Sequence, residues 1–207
     1  MVNHKSLING IGDNKATSQY YDDWAAKYDH TLNSWKYSAP TKSAILLQNQ
    51  IIKKPNKILD LACGTGLFGE QLRKMYNECI IYGSDISLES LKIAKDKKIY
   101  DKLYKSNFEI KKNYNLKFQL VSIIGAMTYC KDFDRIFENV NSYLLKDGYF
   151  LFSHRIDLWK KQNFDSILKK SQTKFNIKFI SRPYHYLPLN KDFEKKIKIR
   201  LVLLKKI

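Results

Sequence analysis

The stretch Lys57-Ile58-Leu59-Asp60-Leu61-Ala62-Cys63-Gly64-Thr65-Gly66 decides how the rest of the sequence is read. Ile58, Leu59 and Leu61 suit a short buried strand. The two glycines let the chain turn tightly and approach a bound molecule with no side chain in the way. The residues that follow, from Leu67 to Tyr76, put Leu67, Phe68, Leu72 and Met75 on one face of a helix. Strand, glycine turn and helix form the opening unit of an α/β fold, and the first N–H groups of such a helix point unsatisfied toward the turn. The GxG is followed by Leu67, Phe68 and Gly69, so it is not the GxGxxG dinucleotide fingerprint. No Gly-Lys-Ser/Thr ending marks it as a triphosphate loop.

Working outward, the alternation repeats with little spare chain. Residues 79–85 read as a second strand, followed by a helix capped by Ser87. Residues 102–107 make a weaker third strand and 118–124 a fourth. A helix is expected from about Asp132 to Leu145, closed by a turn at Lys146-Asp147-Gly148, with a fifth strand over 148–154. Strands separated by helices imply a mostly parallel sheet with right-handed crossovers. After a helix near 162–173, residues 175–182 and 197–204 alternate apolar and polar with no helix between them. That pattern predicts an antiparallel hairpin at the sheet edge. Upstream, Thr17 or Ser18 is expected to cap a helix through about Lys27, with Tyr21, Trp24, Ala25 and Tyr28 on a stripe facing either the core or a ligand cleft. A second helix follows Pro40, over Thr41–Asn49. Residues 1–17 are polar and glycine-containing and are expected to be flexible. Residues 18–207 then form a single domain, with 18–50 as a helical cover.

A chain of 207 residues suits one hydrophobic core, and 14 Tyr and 11 Phe supply large surfaces to bury. The net charge of +17 is spread along the sequence. It is compatible with nucleic acid, an anionic membrane surface or an acidic substrate, but the abundance of Lys, Asn and Ile offers a purely compositional origin. Cys63, Cys79 and Cys130 are odd in number, widely spaced and without a CxxC pair, so they define neither a disulfide framework nor a zinc site. No HxxxH or HExxH pattern occurs, and no metal is expected. Without an apolar leader or a long apolar run, the expectation is a cytoplasmic protein with no membrane partner.

Leu59-Asp60-Leu61-Ala62-Cys63-Gly64-Thr65-Gly66 closely resembles the glycine-rich first motif of class I, Rossmann-like methyltransferases, which use S-adenosylmethionine. The resemblance implies a Rossmann-like α/β fold: a seven-stranded, mostly parallel sheet with an antiparallel C-terminal hairpin and helices on both faces. It also implies that Asp60, Ala62, Gly64 and Gly66 cradle the methionine end and ribose of the cofactor. Asp85, at the end of the second strand, is a carboxylate suited to two ribose hydroxyls, and Ile86 would lie against the adenine. Asn107-Phe108 stands where many relatives have an acidic residue before an apolar one; the Asn carbonyl still offers the adenine amino group an acceptor. Ile124 to Tyr129, with Ile124 and Met127 on the cofactor, resembles the loop that closes over the adenine.

Residues 20–29, YYDDWAAKYD, look like the YDxWAxxYD segment of a subset of small methyltransferases, whose helix lies over the cofactor. Tyr21, Trp24 and Tyr28 would then seal the cleft. The resemblance covers nearly all of residues 20–207. It implies in-line O- or N-methylation of a small-molecule acceptor. His154 is the candidate base, Tyr129 a second catalytic candidate that orients the acceptor, and Arg155, Tyr184 and His185 are candidate substrate contacts. No Asn/Asp-Pro-Pro-Tyr/Phe motif of base-directed amino methyltransferases is present. An RNA methyltransferase using the basic surface, and a noncatalytic cofactor-binding regulatory or assembly protein, are the alternatives. The sequence leaves the oligomeric partner undetermined.

Overall fold

The computed structural model describes residue 7 and residues 13–193 and 197–207. The elements in chain order are α1 (Asn14–Ser34), α2 (Ala39–Gln50), β1 (Lys57–Leu61), α3 (Leu67–Met75), β2 (Ile80–Asp85), α4 (Leu88–Asp96), β3 (Lys102–Lys105) and β4 (Phe118–Ile123). A 3-10 turn (Met127–Tyr129), α5 (Phe133–Tyr143), β5 (Leu144–Arg155), α6 (Ile156–Lys161), α7 (Phe164–Ser171), β6 (Phe175–Ile180), β7 (Tyr184–His185) and β8 (Lys198–Lys206) complete it.

The strands form one sheet in the order β3-β2-β1-β4-β5-β8-β6, with the two-residue β7 added beside β8. β1 to β5 pair in parallel, whereas β8 runs antiparallel to both β5 and β6. The order reverses between β1 and β4, which opens a crevice at the carboxyl ends of these strands, the usual ligand position in open α/β sheets. The expected C-terminal hairpin pairing is present, with the last strand inserted between β5 and β6.

Strand alternation supplies two apolar faces. Leu59, Val121, Phe150, Phe152 and Val202 pack with Ile136, Phe137 and Val140 of α5 and Phe164 of α7. On the opposite face, Ile58, Leu120, Leu151 and Leu203 pack with Leu46 and Leu47 of α2 and Phe68 and Leu72 of α3. Trp24 and Leu32 of α1 pack with Leu187 and Phe193 in a third cluster. Burying a side chain such as Leu72 or Phe152 stabilises the fold by roughly 1.5–3 kcal/mol each.

Several boundaries differ from expectation. The first helix is capped by Asp13, whose Oδ1 accepts from Ala16 N at 2.8 Å, and it runs on to Ser34. Thr17 lies inside it and donates its hydroxyl back to Asp13 O, the competing use of a short polar side chain within a helix. The expected flexible segment 1–17 is therefore helical over 14–17, and residues 1–6 and 8–12 lie outside the described residues. α5 ends at Tyr143, and the Lys-Asp-Gly turn is absorbed into β5 as a bulge, with a register shift opposite Phe118/Leu120 and Asp147 at φ 62°. The helix expected near 162–173 is α7, and α6 and β7 are additional.

Candidate cofactor and acceptor site

A cavity of about 330 Å³ opens at the carboxyl ends of β1, β2 and β4 under α1, a volume within the usual range of small-molecule sites. α1 contributes Asn14, Thr17, Tyr21 and Tyr28, the glycine turn Ala62 and Gly64, and the end of β2 Asp85 and Ile86. Asn107 to Glu109 and Ile124 to Lys131, apart from Met127, line the rest, with Ser90 and Ser106. A smaller cavity continues beside it, bounded by Asp60, Ala62, Gly64, Thr65, Leu67, Tyr28, Tyr37 and Pro40.

The local chain geometry explains the turn. Ala62, Gly64 and Gly66 all have positive φ, at 52°, 55° and 92°; the two glycines adopt it without a Cβ penalty, whereas Ala62 bears one. A Cβ added at Gly64 would meet nothing within 4 Å and would stand in the open space of the cavity. Gly66 instead serves packing: a Cβ there would lie 3.0 Å from Ile99 Cδ1 and 3.3 Å from Tyr100. Gly64 N donates to Asp85 Oδ2 at 2.8 Å, and Ser87 N donates to Oδ1 at 2.8 Å. Asp85 is buried at the cavity wall, and burial raises its pKa against the pull of these N–H groups.

Asp60 is equally buried. Ser122 Oγ donates to its Oδ1 at 2.7 Å and Tyr100 OH to its Oδ2 at 2.8 Å, yet desolvation pushes its pKa up to about 6. Tyr100 reaches Asp60 through a notch between two glycines. A Cβ on Gly69 would lie 2.2 Å from its hydroxyl, and one on Gly83 2.9 Å from its ring. Sequence reasoning missed Tyr100, because the notch is a tertiary feature that the isolated glycines only hint at.

Tyr21 and Tyr129 hydroxyls meet at 2.8 Å. Burial pushes Tyr21, Tyr28, Tyr37 and Tyr129 well above the ordinary tyrosine range and Tyr186 to about 12. Tyr21, Tyr28 and Tyr129 thus present neutral phenols to the cavity, able to donate or accept hydrogen bonds but not to ionise near neutral pH.

Of the residues expected at the site, Tyr21, Tyr28, Asp60, Ala62, Gly64, Asp85, Ile86, Asn107, Phe108, Ile124 and Tyr129 line one or both cavities. The others lie elsewhere. Trp24 is turned into the third cluster, stacked edge-on against Tyr28 at 4.7 Å. Met127 is fully buried in the core below the loop. His154 lines neither cavity and is buried on the α5/α7 face of the sheet, its ring 4.6 Å from Phe164, its Nε2 3.0 Å from Gln162 Oε1 and its pKa lowered to about 4 by burial. The parity of β5 is the reason: Phe150, Phe152 and His154 share the α5/α7 face. Ser153 faces the other way and accepts from Gly125 N at 2.7 Å.

Arg155 is buried, with Asp157 at 2.6 Å and Leu7 O at 2.7 Å. Tyr184 lies under Lys42 Nζ at 5.0 Å, and His185 is exposed opposite Lys198. Glu109 went unnoticed in the sequence. It is buried at the cavity wall and its Oε1 accepts from Lys131 N and Asp132 N at 2.7 and 2.9 Å. Among the described residues no group of His, Cys, Asp and Glu could hold a metal ion, and no helix is long and apolar enough to cross a membrane.

Residues 52–199 match a family model described as a methyltransferase domain, and the chain belongs to that family. Human methyltransferase-like protein 27 is 38% identical over 66 residues, 31% of this chain and 27% of that protein. The malonyl-[acyl-carrier protein] O-methyltransferase 1 of Ilyobacter polytropus is 29% identical over 148 residues, 72% of this chain and 49% of that one. The chain spans half or less of the length of these curated relatives. Among solved structures, the plantazolicin methyltransferase BpumL in complex with SAH aligns over 98% of this chain and 93% of its own, with a TM-score of 0.61 and 15% identity. That likeness is one of fold.

Proposed function

We propose that the chain binds S-adenosylmethionine in the large cavity and transfers its methyl group to a small-molecule acceptor. The carrying observation is the Gly64 position: a left-handed turn at the carboxyl end of β1, open to the cavity where a Cβ would stand, and tied to a buried carboxylate of β2. The donor set fits the cofactor. Asp85 is the acceptor for ribose hydroxyls, and Ile86 and Phe108 are the apolar walls for an adenine with Asn107 and Ile124 beside it. The smaller cavity, with Asp60, Ala62 and Gly64, suits the methionine end. Gly66 shapes the turn, and Trp24 and Met127 support the cavity from behind. In this reading residues 18–50 act as the helical cover, and the YDxWAxxYD segment marks the chain as one of the small methyltransferases that carry it.

The cofactor supplies an electrophilic methyl on a cationic sulfur. The protein's part is to align the acceptor and exclude water. The faces of Tyr21, Tyr28 and Tyr129 are favourable surroundings for a cation, and their neutral hydroxyls orient an acceptor by hydrogen bonds. His154 reads as a core residue, and Arg155, Tyr184 and His185 line neither cavity. O-methylation draws support from the Ilyobacter relative, whose name is that of an O-methyltransferase.

Methyl transfer from radiolabelled S-adenosylmethionine to a panel of small carboxylates, phenols and amines, with bulk tRNA in parallel, tests the function. Label on a small acceptor is the expected result. Label on tRNA alone would replace it with the second reading, with which the +17 charge is compatible.

A further inference from the structure

The cover helix α1 carries two Tyr-Asp pairs, Tyr21-Asp22 and Tyr28-Asp29, two turns apart and therefore on the same side of the helix. In each pair the tyrosine lines the cavity, while the aspartate next to it grips one of the two turns that bound the cavity. Asp22 Oδ1 accepts from Ser87 Oγ at 2.7 Å and from Glu89 N at 3.0 Å, at the start of α4 just after Asp85 and Ile86. A carboxylate there also complements the positive end of that helix. Asp29 Oδ1 accepts from Thr65 Oγ1 at 2.5 Å, between Gly64 and Gly66, and Asp29 Oδ2 accepts from Lys97 Nζ at 2.6 Å. Lys97 in turn pairs with Glu70 at 3.0 Å. Ser18, one turn before Asp22, donates to Ile86 O at 3.0 Å. Thr65 is fully buried and Asp29 only partly exposed, so these bonds are shielded from competing water.

We propose that Asp22 and Asp29 are positioning residues that latch α1 across the cofactor, each fastening one end. Asp22 holds the cover to the turn beside the ribose and adenine, and Asp29 holds it to the glycine turn beside the methionine end. Cofactor release then requires the latches to open, and they govern residence time more than the final fit. This rests on the cofactor assignment above.

The test measures binding and dissociation of S-adenosylhomocysteine and of 5′-methylthioadenosine, which lacks the amino-acid tail, in wild type, Asp22→Ala, Asp29→Ala and Thr65→Val. Thr65→Val breaks the Asp29 latch from its other side while keeping the buried shape. Asp29→Ala and Thr65→Val should each speed dissociation of S-adenosylhomocysteine about tenfold, the loss expected of a charged hydrogen bond, and leave 5′-methylthioadenosine within about twofold. Asp22→Ala should speed the release of both ligands. Wild-type dissociation rates in all three folded variants, or equal loss of both ligands in Asp29→Ala and Thr65→Val, would overturn the latches while leaving the cofactor site standing. A folded wild-type protein that binds neither ligand would overturn the cofactor reading and the latches with it.

Discussion

His154 shows how finely a single residue's role depends on its surroundings. Its pKa of about 4 lies below the ordinary histidine value because burial among Phe133, Trp159 and Phe164 disfavours the charged ring. The unfolded chain therefore takes up this proton first, and the stability His154 contributes is fully present above pH 6.5 and lost as the pH falls toward 4. The shift corresponds to about 3 kcal/mol. Denaturant titrations from pH 7 to 4 should show a steeper loss in wild type than in His154→Phe, and turnover of that variant should stay within about threefold of wild type. A hundredfold fall in turnover with unchanged cofactor affinity would return His154 to a catalytic role. The sequence placed this residue at the end of the fifth strand, which the structure bears out. The sequence did not give its face: parity along β5 is offset by the bulge at 146–148, and a one-residue change of phase exchanges His154 for Ser153. Asp85 and the glycine turn were each signalled locally, at the ends of β2 and β1, and the fold joins them through Gly64 N and Asp85 Oδ2.

Between elements, the decisive device is the passage of Tyr100 between α3 and β2 to Asp60. Gly69→Ala would drive a methyl into the Tyr100 hydroxyl and its bond to Asp60. A loss of about 1–3 kcal/mol in urea denaturation is expected, as for other overpacked cores. An unchanged midpoint would mean that Tyr100 moves aside freely. Strands and helices with strong local signals, such as β1, β4 and α4 behind its Ser87 cap, were readable from periodicity and capping residues. Less was readable where an element depends on distant partners. α1 outran its expected end because its later turns pack on Leu187 and Phe193, far along the chain. The two-residue β7 exists only because β8 lies beside it.

At the scale of the whole molecule, the alternation of strands and helices carried the fold and the direction of the last two strands, since no helix separates them. The spread of charge did not reveal a partner. The structure joins α1, the glycine turn and the loop after β4 around one cavity, so a ligand that fills it should stabilise the entire chain. S-adenosylhomocysteine at about one hundred times its Kd should add about 2.7 kcal/mol and raise the melting temperature by about 5–10 °C. A melting curve indifferent to the ligand would argue that the cavity does not hold it.

The most direct measurement is calorimetric titration of the purified protein with S-adenosylmethionine, after checking for copurified nucleic acid, beside Gly64→Arg. One-to-one binding by wild type that disappears in the folded variant is the predicted result, because an arginine at Gly64 would occupy the space open to the cavity. Equal affinity in both proteins, or no heat of binding from a folded, ligand-free wild type, would contradict the assignment of this cavity to the cofactor.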